Sequence, residues 1–181
     1  MDREDLFHVV AAAAHITKEE EFVVIGSQAI VGVHPSAPDE MLRSIEADIY
    51  PKNAPDKAIL FERDIGEGTQ FHATYGYYAH SVGPETAKAP AGWEDRLVKV
   101  VVPPRPHSKT QAIAWCIEAH DLVLAKLARG DQRDWDFARS AIKANLVQSD
   151  KLLELISTMP VAGEAQSQIH RAVVGITDSL G

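Results

Sequence analysis

The chain has 181 residues, 45% of them hydrophobic, and a formal net charge of −8 at pH 7. That length allows one domain or one domain with a small appendage, and the apolar share is ample for a core. The acidic balance excludes wholesale coating of nucleic acid, which needs many phosphate-neutralising cations. No apolar run approaches the ~18 residues of a membrane span and the start lacks a basic-then-apolar layout, so a cytoplasmic protein is expected, with no membrane partner.

In chain order, residues 5–15 predict a helix, since the alanine run 11–14 is strongly helix-forming and no breaker interrupts it. Residues 22–25 form a short apolar strand stopped by Gly26-Ser27, with a helix over 28–33 closed by His34-Pro35 and a loop to Asp39. Gly26-Ser27 reads in two ways. It is either a turn with Ser27 as helix N-cap, or a phosphate cradle that uses the free N–H groups at a helix start. Residues 44–50 alternate as a second strand, with Ile45, Ala47 and Ile49 toward the core and Glu46, Asp48 and Tyr50 on the other face. A helix follows over 55–65, with Asn53 as N-cap, Ile59, Leu60 and Phe61 among its apolar positions, and Gly66 as its end. The aromatic stretch 69–82, the β-branched stretch 96–102 and the apolar run 113–117 predict further strands of the same sheet. From His120 onward the pattern is helical, near 120–129, 132–145, 149–158 and 163–179.

Carboxylates two residues apart on one strand face stand ~6–7 Å apart at Cβ, near enough to share a hard divalent cation, unless Glu46 and Asp48 are simply the solvated face of an edge strand. A phosphate cradle followed by a carboxylate pair points to phosphoryl or nucleotidyl transfer. Half of all Lys and Arg fall between Arg96 and Lys143 (Arg96, Lys99, Arg105, Lys109, Lys126, Arg129, Arg133, Arg139 and Lys143), which is either a basic face for a triphosphate or RNA end, or a scatter of solvated charges. Asp134 and Asp136 suit the first turn of a helix through its dipole. The lone Cys116 excludes an intramolecular disulfide and reads as a buried, inert thiol.

Gly26-Ser27-Gln28-Ala29 with Arg43-Ser44-Ile45-Glu46-Ala47-Asp48, followed by 120–130 and Arg133-Asp134-Trp135-Asp136-Phe137, resembles the polymerase-beta-type nucleotidyltransferase superfamily. Within it the segments look most like the AbiEii/MenT-type toxins and their uncharacterised bacterial relatives. The resemblance implies an α+β fold, a nucleotidyltransferase core with a mixed β-sheet and flanking helices over 1–118, followed by a small C-terminal helical bundle over 119–181 packed on that core. It implies Glu46 and Asp48 as catalytic metal ligands for Mg²⁺ or Mn²⁺, and Gly26, Ser27 and Lys126 as the binding residues for a nucleoside triphosphate substrate. By itself, Lys126 reads equally well as a solvated lysine. The toxin branch implies a tRNA 3′ end as acceptor and a cognate antitoxin protein as partner; minimal relatives nucleotidylate a protein or a small molecule, and an inactive antitoxin-like binding module keeps the fold without chemistry. Superfamily members usually carry a third carboxylate on a neighbouring strand, and here 71–82 holds none. His80, a base near neutral pH, stands about where it is expected, with Glu85 in the loop beyond; Asp95 is the other candidate.

Overall fold

In the computed structural model, which describes residues 1–105 and 111–180, the first helix is fixed by its own ends. The Asp5 N–H donates to Asp2 and the Asp2 N–H to Asp5, both at 2.9 Å, closing a capping box for α1 (Arg3–Thr17). Its core-facing side, Leu6, Val9, Val10 and Ala13, is fully buried. After β1 (Glu21–Val24) come α2 (Gln28–Val33), a 3₁₀ turn at Asp39–Met41 and β2 (Glu46–Pro51). A second 3₁₀ turn (Pro55–Lys57) leads into α3 (Ala58–Ile65), followed by α4 (Gln70–Tyr75), β3 (Tyr78–Ser81), β4 (Val98–Val102) and β5 (Ala112–Cys116). Four helices complete the described chain: α5 (Ala119–Arg129), α6 (Gln132–Lys143), α7 (Ser149–Ile156) and α8 (Gly163–Asp178).

The five strands form one mixed sheet in the order β3-β2-β1-β5-β4, with β1 parallel to β5, β2 parallel to β3, and the β1/β2 and β4/β5 pairs antiparallel. Helices flank it, so the expected α+β class with a mixed sheet is what the chain adopts. β1 has a neighbour on each side and buries Phe22, Val23 and Val24, which is why it reads as an unbroken apolar run rather than an alternating one. Helix α5 buries Leu122, Val123, Leu124 and Leu127 in the hydrophobic cluster that also holds the sheet, and α6, α7 and α8 all pack against it. No described helix is long and apolar enough to cross a membrane.

Several expectations need correction. The strand predicted over 69–82 is two elements: Thr69 caps α4 by accepting from the His72 N–H, and Gly76, at φ 77°, ends it in the left-handed region. Between two such local stop signals the rings of Phe71 and Tyr75 pack on His8 of α1, at 5.0 and 4.6 Å between centroids, and β-propensity loses to that contact. Asn53 caps nothing, because Pro55 opens a 3₁₀ turn with Ala54 at its N-cap. Ile45 lies before β2 and is exposed, as are Ile59 and Leu60 on the outer side of α3. The basic run does not form one face. Arg96 is tied to Asp121 and Arg105 to Glu4, while Lys99 lies 5.8 Å from the Trp115 ring centroid on the far half of the sheet; Lys109 falls outside the described residues.

Candidate active site

The site grows out of two registers. Val24 of β1 stands opposite Ile49 of β2, and one step on the Ile25 N–H donates to the Asp48 carbonyl at 3.1 Å. Gly26 is therefore pressed onto the Asp48 side chain, where an added Cβ would stand 2.0 Å from Oδ2. Its φ lies outside the left-handed region, so close approach rather than a special backbone angle is what requires glycine here. On the other side, parallel β3 sets Tyr78 opposite Glu46 and His80 opposite Asp48. Since residues two apart on a strand share a face, all four side chains emerge together.

The Tyr78 hydroxyl donates to Glu46 Oε2 at 2.9 Å, and His80 Nδ1 lies 2.9 Å from Asp48 Oδ1 and 3.2 Å from Glu46 Oε1. One donor atom from each of Glu46, Asp48 and His80 lies within 4.8 Å of the others. Among the described residues no lysine or arginine forms an ion pair with either acid. Burial, together with the neighbouring Glu46, pushes the Asp48 carboxyl up to about 6 against the opposing pull of the His80 hydrogen bond. Burial acts the same way on Glu46, but hydrogen bonds with Asp48 and Tyr78 and the charge of His80 outweigh it and hold that group below its ordinary range. For His80 burial lowers the value, while the Asp48 hydrogen bond and the charges of Asp48 and Glu46 prevail and raise it. The two oxygen acids of unequal acidity, side by side and without a permanent countercharge, are a donor set suited to a hard divalent cation.

The facing wall comes from α5 and α6. Asp134, buried at the start of α6, accepts from Arg129 through Nε and one terminal nitrogen at 2.7 Å each, and from Lys126 Nζ at 3.2 Å. Lys126 also lies 4.7 Å from the Phe137 ring centroid, with its side chain only 11% exposed. Burial lowers its pKa against the pull of Asp134. Ser140 Oγ donates to Glu40 at 2.7 Å and so ties α6 to the Asp39–Met41 turn across the site.

Between these walls lies a cavity of about 1060 Å³, at the upper end of small-molecule sites. It is lined by Gly26, Ser27, Glu46, Asp48, His80 and Lys126, together with Arg43, Lys88, Arg129, Arg133 and Asp134. The structure thus brings together every residue singled out for metal or nucleotide, and His80 with them. Asp95 sits in the 3₁₀ turn Trp93–Arg96 and Glu85 in another, Pro84–Thr86; neither lines the cavity. Ser27 does stand at the N-cap of α2, but its backbone is right-handed helical and its side chain makes no capping hydrogen bond, so the capping energy expected of it is absent. Asp134 does lie in the first turn of α6, as expected, but it is buried there and anchors two cations besides. Only the spacing from Arg129, across the helix-ending Gly130, hinted at this, and Tyr78 gave no local signal at all.

The family described as a nucleotidyltransferase of unknown function (DUF6036) matches residues 4–175. No curated protein and no solved structure matches the chain.

Proposed function

The chain belongs to the DUF6036 family of nucleotidyltransferases, and on that premise we propose that it transfers a nucleoside monophosphate from a nucleoside triphosphate to an acceptor hydroxyl, releasing pyrophosphate. The observation that carries this reading is the placement of Glu46 and Asp48 on one face of β2, with Asp48 against a glycine that leaves room for nothing larger, in a cavity whose far wall holds Lys126.

In this reading Glu46 and Asp48 hold Mg²⁺ or Mn²⁺, and the bound cation supplies neutralisation of phosphate charge and polarisation of the reacting oxygens. Tyr78 fixes the rotamer of Glu46 by donating to Oε2, and the Asp48 carboxylate is fixed between Gly26 and His80. The N–H groups at the start of α2 and the Ser27 hydroxyl bind phosphate oxygens. Because α2 has only six residues its dipole is small, and the hydrogen bonds themselves do most of that binding. Lys126 faces the phosphates as a compact ammonium, held in place by Asp134 and Phe137.

Arg43, Lys88 and Arg133 are exposed at the cavity and none forms an ion pair among the described residues, which favours a polyanionic acceptor such as a tRNA 3′ end. With the resemblance of 26–29, 43–48 and 120–137 to the toxin branch, this supports a toxin regulated by a cognate antitoxin. Purified protein incubated with labelled nucleoside triphosphates and either total tRNA, lysate protein or no acceptor tests both levels. Label on tRNA that disappears in Asp48→Asn is expected. Label on protein instead removes the tRNA acceptor, and no transfer to any acceptor, with no metal-dependent nucleotide binding, refutes the enzyme.

A further inference from the structure

We propose that His80 is itself a ligand of the cation held by Glu46 and Asp48, and that its nitrogen makes this a site for Mn²⁺ in preference to Mg²⁺. The inference rests on the reading above that the two carboxylates hold a divalent cation. It adds the identity of the third donor and the class of metal.

The first argument is spacing. Donors at right angles around an ion with bonds of about 2.1 Å stand about 3.0 Å apart. His80 Nδ1 lies 2.9 Å from Asp48 Oδ1 and 3.2 Å from Glu46 Oε1, so the three atoms already trace adjoining edges of such a polyhedron. The same distances serve a proton shared between imidazole and carboxylates, and a metal takes the place of that proton when it binds. The second argument is that the backbone puts His80 there. It is the register partner of Asp48 on the parallel strand, so a donor at residue 80 reaches the cation without rearrangement. The third is substitution by elimination. Among the described residues no other acid joins this cluster, and neither Asp95 nor Glu85 lines the cavity.

Donor chemistry then bears on the metal. Mg²⁺ keeps its oxygen shell and gains little from an imidazole, whereas a nitrogen donor favours first-row transition ions, among which Mn²⁺ is the one that shares the preference of Mg²⁺ for carboxylate oxygen. Half of the His80 side chain is exposed and β3 is an edge strand, so the residue can be exchanged without opening the core.

The test uses the intact protein with Mn²⁺ alone, and no nucleotide. Pulsed electron paramagnetic resonance is expected to show modulation from a directly bound imidazole nitrogen, absent in His80→Ala. His80→Asp restores an all-oxygen donor set and is expected to lower the ratio of Mn²⁺ to Mg²⁺ affinity, read by calorimetry, by about tenfold. A single cooperative melting transition in each apo variant confirms that it folds. If Mn²⁺ binds and is lost in Asp48→Asn, yet no nitrogen modulation appears and His80→Asp leaves the ratio unchanged, the inference falls while the nucleotidyltransferase reading stands. If Mn²⁺ binding is absent or indifferent to Asp48→Asn, both fall.

Discussion

Gly26→Ala separates site chemistry from fold. The new methyl would stand 2.0 Å from Asp48 Oδ2 and 2.8 Å from its carboxyl carbon, where ordinary contact begins at 3.4 Å. The carboxylate must therefore retreat by about 1.4 Å, several times the ~0.2 Å tolerance of a metal–oxygen bond. Because the backbone of Gly26 is not left-handed and the carboxyl has open cavity beside it, the main clash is relieved by rotating the carboxylate aside, while the Asp48 Cβ at 3.1 Å has to give by only a few tenths of an ångström. Restricting the unfolded chain even returns about 0.4–1 kcal/mol. At ligand concentrations near 100 times the dissociation constant the parent gains about 2.7 kcal/mol, a rise in Tm of roughly 5–10 °C for a chain of this size. We expect differential scanning fluorimetry with Mn²⁺ and a nucleoside triphosphate to show that rise in the parent and none in Gly26→Ala, at nearly equal apo Tm. A variant that keeps the full ligand-induced rise would refute the close-approach argument.

Four further outcomes are expected. Cation affinity should fall as pH drops through about 6, since Asp48 then takes up a proton, and Mn²⁺ titrations between pH 5 and 8 check it; a flat profile removes Asp48 as a ligand. The raised Asp48 value means its contribution to apo stability is present below the unfolded carboxylate value and lost as pH climbs through about 6, by up to ~3 kcal/mol, so Asp48→Asn should be at least as stable as the parent at pH 7 in urea melts. Asp134→Ala leaves the buried Lys126 without its carboxylate, while the largely exposed Arg129 is rehydrated, and should cost about 2–3 kcal/mol in urea melts, whereas Ser27→Ala, which loses no side-chain cap, should cost under ~0.5 kcal/mol while weakening triphosphate binding. Cys116, fully buried with its thiol pushed up to about 12 chiefly by burial, should react with a thiol reagent only on unfolding; rapid labelling of the native protein would contradict its placement.

What was legible beforehand was whatever local sequence encodes. The apolar run ending at Gly26-Ser27 and the alternation around Glu46 and Asp48 announce a strand, a tight exit and two acids on one face, and these were found so, although the alternation fails at its ends, where Ile45 is exposed and Tyr50 buried. Features that depend on which strand lies beside which were not. His80 could be singled out only through the resemblance, as the group standing where a third carboxylate is expected; its contact with Asp48 comes from a parallel pairing 32 residues apart, and nothing within either strand names the other. Asp134 looked like any acid in a first helical turn until the fold laid α5 against α6. The aromatic stretch misled because ring-rich sequence favours strands, while Thr69 and Gly76, the small residues that decide the matter, carry little weight in a periodicity.

The sheet order has a consequence for how the protein is made. β1 sits in the middle of the sheet, and one of its neighbours, β5, pairs Ile113 with Glu21 across a long stretch of chain. At synthesis rates of about 5–20 residues per second, the apolar strand beside Glu46 and Asp48 spends roughly 5–20 s with one edge bare. The acids and the glycine emerge first, and the lysine and arginine that face them arrive on α5 only after that edge is covered. A ribosome-bound chain thus displays an apolar strand with an unpaired edge before the two walls of the cavity can meet, the kind of exposed edge that folding chains must keep from pairing with one another.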